Sequence, residues 1–281
     1  MKLLLLAFAA ILTGGPFGTA QTGTSPPGAT MPGQGESSQT LAFEAATIKP
    51  VGPNDLSQVQ IYPGGRVVIG NASLKVLIGV AFGVGNWQIS GCTDWCEKTA
   101  YTVEAKPPDD LQPPISNLHH SFWDIEDPRL RQMLQSLLIE RFQLRLHAIS
   151  KLGAVYILKR NGKTIPLKPT KAPSGDGDRK ADSRPYGVNF VDGRFYLFNT
   201  SMPQLARFAS TYVLHSPVED RTGLTGFFDY RSTMQVDPST QRNDFEGSFI
   251  QFLLDIGLEL KKQKGPVEAF VVDHAEMPSP N

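Results

Sequence analysis

The sequence has few cysteines, no excess of charge of one sign, and one long apolar run. Two cysteines in 281 residues are too few for a small protein stabilised mainly by disulfides, and too few for a structural zinc site made of thiolates alone. Because 27 basic residues balance 27 acidic ones, the composition argues against a protein whose main function is to bind nucleic acid or an anionic membrane. With 40% apolar residues the chain can still form one large or two modest cores.

Motifs of familiar chemistry are also missing. The sequence has no His-Glu-x-x-His, no Gly-x-Ser-x-Gly, no Gly-x-Gly-x-x-Gly and no Walker loop. These absences remove the sequence support for a zinc peptidase, a serine hydrolase of the nucleophile-elbow type and a nucleotide-binding protein. We therefore expect no cofactor, no bound metal and no nucleic-acid partner, and the balance leans against an enzyme.

The one long apolar run lies at the start of the chain. Lys2 precedes the apolar residues 3–12, and Gly18-Thr19-Ala20 forms a small-x-small cleavage site. A run of about ten residues is half the length that a membrane-spanning helix needs. We interpret residues 1–20 as a signal peptide and residues 21–40, which are mostly Gly, Pro, Ser, Thr and Gln, as a disordered tether. The protein is then exported, to the periplasm or beyond, and its mature chain has no membrane span.

Two stretches of the later sequence match each other. Residues 65–84 align with residues 193–212 without a gap, and both indicate a strand followed by Asn-x-Ser and an amphipathic helix. Residues 131–158 and 247–272 both indicate a helix, a strand, a turn and a second strand. We expect an α+β fold of two tandem strand-helix-strand/helix-strand-strand units, which resemble the small periplasmic domains of secretins and TonB-dependent receptors. The predicted boundaries are 41–163 for the first unit, 164–187 for a flexible linker and 188–281 for the second unit.

Capping residues set the expected helix ends. Asp127, followed by proline, is a predicted N-cap, Ser248 is another, and Gly257 is a predicted C-cap. The paired Asn-x-Ser sequences also satisfy the glycosylation sequon, but capping of the following helix explains their placement without a sugar. The capping candidates there are Asn71 or Ser73 in the first unit, and Asn199 or Ser201 in the second.

The two cysteines, Cys92 and Cys96, frame the sequence CTDWC. In an exported chain this spacing favours a local structural disulfide. A redox pair or a metal site is the alternative, although a redox pair would favour Cys-x-x-Cys in a thioredoxin-like setting, which is missing.

A glycine-containing loop near residue 220 is the most distinctive string of the sequence. Gly223 and Gly226 permit backbone conformations with positive φ, and Asp220 with Arg221 forms a candidate recognition pair. The alternative is an ion pair within the loop that only fixes the turn.

The five histidines supply the candidates for catalysis or metal binding. Two groups combine histidine with acidic residues, but a solvated loop for the first and a polar strand exit for the second are the favoured interpretations. The groups are His119 and His120 with Asp124 and Glu126, and Asp273 with His274 and Glu276.

Several strings together identify a family resemblance. They are FEAATIKP, GGRVVIGNASLKVLI, LLIERFQLRLH followed by VYILKR, PVEDRTGLTGFFDY and GLELKKQKGPVEAFVVDHAEMPSPN, spread over residues 41–281. Through them the chain resembles an uncharacterised exported family of soil acidobacteria, of Solibacter type, defined by a domain of unknown function. The resemblance implies no activity, cofactor or catalytic residue, because the family has none established. CTDWC departs from the family pattern, so any role of that pair belongs to this protein.

Two functions compete. The first is an exported, non-catalytic binding or interaction module for a peptide, an envelope protein or a cell-wall component, with Trp87, Trp95 and Trp123 as exposed aromatic candidates. Related domains attached to membrane-anchored sensor peptidases imply the same kind of role. The alternative is an extracellular or periplasmic hydrolase, whose histidine and carboxylate site is assembled only in three dimensions.

The signal-peptide interpretation predicts where the mature chain begins. Exported protein, purified and subjected to N-terminal sequencing, should begin at or near Gln21, because cleavage follows Ala20. Exported material that retains Met1 would contradict the interpretation.

Overall fold

The computed structural model describes residues 41–52, 57–111, 125, 127–162, 164–171, 187–233 and 245–278. The predicted signal peptide and tether, most of the predicted linker, and the group around His119 and His120 lie outside these residues. Within them the fold is α+β, with five α-helices and three four-stranded, mostly antiparallel sheets, which confirms the predicted class.

The described residues form twelve strands and five α-helices. The strands are β1 (Ala45–Pro50), β2 (Gln58–Ile61), β3 (Val67–Ser73), β4 (Ile89–Ser90), β5 (Ala100–Lys106), β6 (Arg145–Arg160), β7 (Lys168–Thr170), β8 (Gly187–Val191), β9 (Arg194–Thr200), β10 (Val218–Asp220), β11 (Phe227–Arg231) and β12 (Leu258–His274). The helices are α1 (Leu74–Phe82), α2 (Asp94–Lys98), α3 (Pro128–Phe142), α4 (Met202–Phe208) and α5 (Phe245–Asp255).

Two of the sheets have corresponding strand orders. The first is β1-β5-β3-β2 and the second is β7-β11-β9-β8, and every pairing in both is antiparallel. β7 lies within the segment predicted as a linker and pairs with β11. The order of the first sheet therefore recurs, six strands later, in the second.

The third sheet is a ribbon that joins the two cores. β6 and β12 pair antiparallel along their whole length, β4 runs parallel to β12, and β10 runs parallel to β6. Leu144, just before β6, and Val272 of β12 lie in the first hydrophobic core, whereas Leu158 and Leu258 lie in the second. Each core thus contains residues of both ribbon strands from one end of the ribbon.

The turn predicted within each ribbon strand is wrong, because each strand is continuous. Gly153 and Gly265 lie opposite each other in the ladder. A Cβ at Gly153 would be 2.8 Å from Val267 Cγ2, and one at Gly265 would be 3.0 Å from Val155 Cγ2. The glycines therefore make room for two buried valines in an extended ribbon, and do not mark a turn.

Local capping agrees with the sequence for most helices. The Ser73 hydroxyl accepts from the Val76 amide, Asp127 Oδ1 accepts from the Arg129 amide at 2.8 Å, and Gly257 has φ 79° at the end of α5. The prediction of Ser248 as an N-cap is wrong, since α5 already includes Phe245. That extra turn places the Phe245 ring 5.4 Å from the ring of Phe195, in the second core's aromatic cluster.

The difference in burial between Leu77 and Leu152 predicts a large difference in stability between their alanine variants. Leu77→Ala removes a fully buried side chain and should lower the free energy of unfolding by about 2 to 5 kcal/mol. Leu152→Ala, on the exposed middle of β6 with 82% of its surface accessible, should change it by about 0.5 kcal/mol or less. Urea unfolding measures both variants, and equal losses would contradict the assigned burial.

Candidate functional site

A cavity of about 370 Å³ lies between the two helices that match in the internal alignment. One wall comes from α1 and the loop after it, and the other from α4 and the segment that continues it. Aromatic side chains supply much of the lining, namely Trp87 from the first wall and Phe208 and Tyr212 from the second. The volume falls in the range of pockets that bind small organic ligands.

The α1 wall consists of small side chains and backbone. Val76, Gly79 and Val80 line the cavity from one face of the helix. A Cβ at Gly79 would be 3.0 Å from the Val84 carbonyl oxygen and 3.1 Å from Asn86 Oδ1, so the close return of the following loop favours glycine here. The helix ends at Gly83, which has φ 68°.

The opposite wall begins with a well-capped helix and continues into a π-helical turn. Ser201 and Gln204 form a capping box at the start of α4. Residues Ala209–Leu214 then form a π-helix, which ends at His215 with φ 47°. Such turns are rare and occur often at functional sites.

One hydrogen bond connects the two walls. The indole Nε1 of Trp87 donates to the Ser210 carbonyl oxygen at 3.1 Å. Because Trp87 follows α1 and Ser210 lies in the π-helix, this bond fixes the indole against the opposite wall. Trp87 is one of the exposed aromatic candidates predicted from the sequence. In the structure it is half-buried and lines the cavity.

The side chains of the cavity lining that can carry a positive charge are Arg207 and His215. None of its described lining residues is Asp or Glu. Asn86 and Thr211 add uncharged polar groups, and the rings of Phe208 and Tyr212 lie 5.3 Å apart. The arrangement can contact a ring on its faces and edges and can donate hydrogen bonds, which are the contacts of a binding site.

The histidine candidates do not meet in one place. His147 Nδ1 lies 2.9 Å from the carboxylate of Asp273, and His274 Nε2 lies 3.0 Å from Glu276 Oε1. Asp273 lies at an irregularity in the β6–β12 register, and it contacts His147 while its neighbour His274 contacts Glu276. Among the residues that the structure describes, no three His, Cys, Asp or Glu side chains are grouped to hold a metal ion.

The glycine-containing loop has a different internal pairing from the one considered in the sequence. Arg221 makes an ion pair with Glu219, at 2.8 Å, and not with Asp220. Asp220 Oδ1 instead accepts from the Thr222 amide at 2.9 Å. Gly223 and Gly226 have φ of 68° and 93°, as their residue type allows. The hydrogen bond from Arg221 lowers the pKa of Glu219 below its ordinary value.

Cys92 and Cys96 lie at disulfide-bonding distance, with Cα atoms 5.4 Å apart. This agrees with the predicted local disulfide. Trp95 and Cys96 lie in α2 and pack in the first core, so this short helix is held against the body of the protein. Trp123 lies outside the described residues.

Comparison with known families matches residues 75–275 to a family described as a protein of unknown function, DUF3738. The chain belongs to the DUF3738 family. The match runs from α1 to the end of β12 and therefore includes both cavity walls and the ribbon. No curated protein and no solved structure matches the chain. The acidobacterial origin stays a prediction.

No helix in the described part of this DUF3738 chain is both long enough and apolar enough to cross a membrane. Most of the cavity lining escaped the sequence analysis. Phe208 lies on the apolar face of an amphipathic helix, where a core residue and a cavity residue look alike, and Arg207, Thr211 and Tyr212 belong to no motif. One difference distinguishes this part of the chain: the start of β10 follows the start of α4 by one residue more than the start of β4 follows the start of α1.

The ion pair beside the glycine loop predicts a measurable change in pKa. In Arg221→Gln the pKa of Glu219 should rise toward its ordinary value, because the guanidinium hydrogen bond that favours the carboxylate is lost. NMR titration of side-chain carboxyl signals measures this midpoint. Arg66→Gln, which removes a distant surface ion pair with Glu104, should leave the Glu219 midpoint unchanged. An unchanged midpoint in Arg221→Gln would contradict the assigned contact.

Proposed function

We propose that this DUF3738 protein is an exported, non-catalytic binding module that holds a small ligand in the cavity between α1 and α4. The observation that carries the proposal is the composition of that cavity. Three aromatic side chains, Trp87, Phe208 and Tyr212, meet a few polar groups around about 370 Å³ of space. Aromatic surface supplies binding energy through apolar burial, and sparse polar groups orient the ligand.

The fixed position of Trp87 supports a preformed site. Its hydrogen bond to Ser210 holds the indole before any ligand arrives. A side chain that is already ordered loses little conformational entropy on binding, so more of the contact energy is available as affinity. The rare π-helical conformation of the opposite wall adds a second sign of a functional surface.

We propose that the glycine-containing loop is a neighbouring recognition element. Its candidate residues are Asp220, Arg221, Gly223 and Gly226. Asp220 lines a depression next to the cavity, and the depression shares Arg207 and Thr211 with it. A larger ligand that fills the cavity would extend toward this loop.

Two tandem copies of one unit are part of the same proposal. Support comes from the recurring strand order, from β4 running parallel to β12, and from β10 running parallel to β6. The boundaries at 41–163 and 188–281, and the likeness to the small domains of secretins and TonB-dependent receptors, belong to this proposal as well. The disulfide between Cys92 and Cys96 agrees with export.

The hydrolase alternative has less support. In the part of the chain that the structure describes, its candidates are two separate exposed pairs, His147–Asp273 and His274–Glu276. Neither pair lines the aromatic cavity.

The test uses ring-containing fragments as probes. Indole and 2-naphthamide, titrated into the full mature protein and followed by ¹⁵N NMR, should shift amide signals of α1 and of the π-helix. Tyr212→Ala should weaken their binding about tenfold, because an aromatic contact contributes about 1 to 1.5 kcal/mol.

A matched control separates the cavity from aromatic surface in general. Tyr62→Ala removes a half-buried tyrosine that stacks against Arg66, away from the cavity, and should leave fragment affinity unchanged. Fragment-induced shifts confined to other regions, or no shifts at all, would overturn the proposed function.

A further inference from the structure

The two walls of the cavity differ at matched positions. In the internal alignment, Gly79 corresponds to Arg207, Val80 to Phe208 and Val84 to Tyr212, and all six line the cavity. The first wall thus leaves space where the second supplies a long or aromatic side chain. The pocket is therefore asymmetric, and the charged and aromatic groups at these matched positions, Arg207, Phe208 and Tyr212, all belong to the second wall.

The chain is one residue longer from the start of α4 to the start of β10 than from the start of α1 to the start of β4. A π-helical turn holds one more residue than an α-helical turn, because its hydrogen bonds run from i to i+5. The turn at Ala209–Leu214 absorbs the additional residue, and it carries Thr211 and Tyr212 to the cavity and ends at His215. The corresponding helix α1 stops at Gly83 without such a turn.

The charge of the lining favours one sign of ligand. Its groups that can carry a positive charge are Arg207 and His215, and its described residues include no carboxylate that could neutralise a bound cation. A second guanidinium, that of Arg131, lies beside Arg207 at Gly83, since a Cβ at Gly83 would be within 3.3 Å of both groups. The described lining of the adjoining depression includes one carboxylate, that of Asp220, which accepts from the Thr222 amide.

A guanidinium can serve a protein partner and a ligand together. Arg131 donates through Nε to the Ile125 carbonyl oxygen. Each guanidinium carries five N–H donors in a planar fork, so a carboxylate can accept from one edge while another edge stays bonded to the protein.

We infer that the ligand of the α1–α4 cavity is a ring-bearing organic anion, whose ring lies among Trp87, Phe208 and Tyr212 and whose carboxylate points toward Arg207. The inference rests on the proposed function and adds the chemical class of the ligand. Arg207 and the π-helical residues are then the specificity-determining groups, and the α1 wall provides the space.

Three probes with one ring system and different charge test the inference. They are 2-naphthoate, 2-naphthamide and 2-naphthylmethylamine, titrated into the full mature protein by NMR and calorimetry at neutral pH. Naphthoate should bind about tenfold more tightly than the amide, and the amine more weakly than the amide, because charge-assisted hydrogen bonds to a guanidinium favour the anion alone.

Substitutions locate the charge preference. Arg207→Gln should abolish the preference for naphthoate over the amide while amide binding persists, which also shows that the variant is folded. Arg207→Lys should retain part of the preference, and Arg66→Gln, far from the cavity, should retain all of it. If Arg207→Gln does not fold, His215→Gln should weaken naphthoate binding more than amide binding.

The outcomes separate the two proposals. Equal binding of all three probes in the cavity, or tightest binding of the amine, would overturn the anion inference and leave the binding function standing. Failure of all three probes to bind would overturn the binding function itself. An unchanged charge preference in a folded Arg207→Gln variant would overturn the assignment of Arg207.

Discussion

Antiparallel pairing of β6 with β12 is the interaction on which the rest of the structure depends. The ladder runs from Arg145 opposite His274 to Arg160 opposite Leu258. One end of it contributes to the first core and the other end to the second, so neither core is complete without both strands. Separation of the ribbon would therefore expose apolar surface in both cores together. The glycine pair at the middle leaves room for the methyl groups of the buried Val155 and Val267, which a Cβ at either glycine would approach to 3.0 Å or less.

The same ribbon sets the positions of the cavity walls. α1 leads through the Trp87 loop into β4, which pairs with β12 at Phe270, and Gln88 donates to the Glu268 carbonyl oxygen at 2.9 Å. α4 leads through its π-helical turn into β10, which pairs with β6. β4 thus connects the α1 wall to β12, and β10 connects the α4 wall to β6. The separation of the walls, and hence the size of the cavity, follows from the spacing of hydrogen-bonded strands.

Local signals predicted local structure well. The apolar spacing of α1 and the caps at Ser73 and Asp127 needed only neighbouring residues, and these elements were confirmed. The sequence failed where distant residues decided the outcome. Gly153 and Gly265 have the residue type of a turn, and only their pairing across the chain makes them part of a straight ribbon. The start of α5 was placed too late because the contact of Phe245 with Phe195 extends the helix toward its N-terminus.

The cavity was harder to predict than the fold, and the proposed duplication explains why. Residues that agree between the two halves perform tasks that any copy must perform. Ser73 and Ser201 both cap a helix, and Asn71 and Asn199 both adopt positive φ just before it. A search for internal similarity finds these positions, and they are structural. A pocket between two similar walls requires differences between them. Two walls with identical large side chains would fill the space, and two walls with small side chains would offer few contacts to a ligand. The functional residues are therefore expected where the copies differ, as Gly79 and Arg207 do, and similarity alone leads away from them.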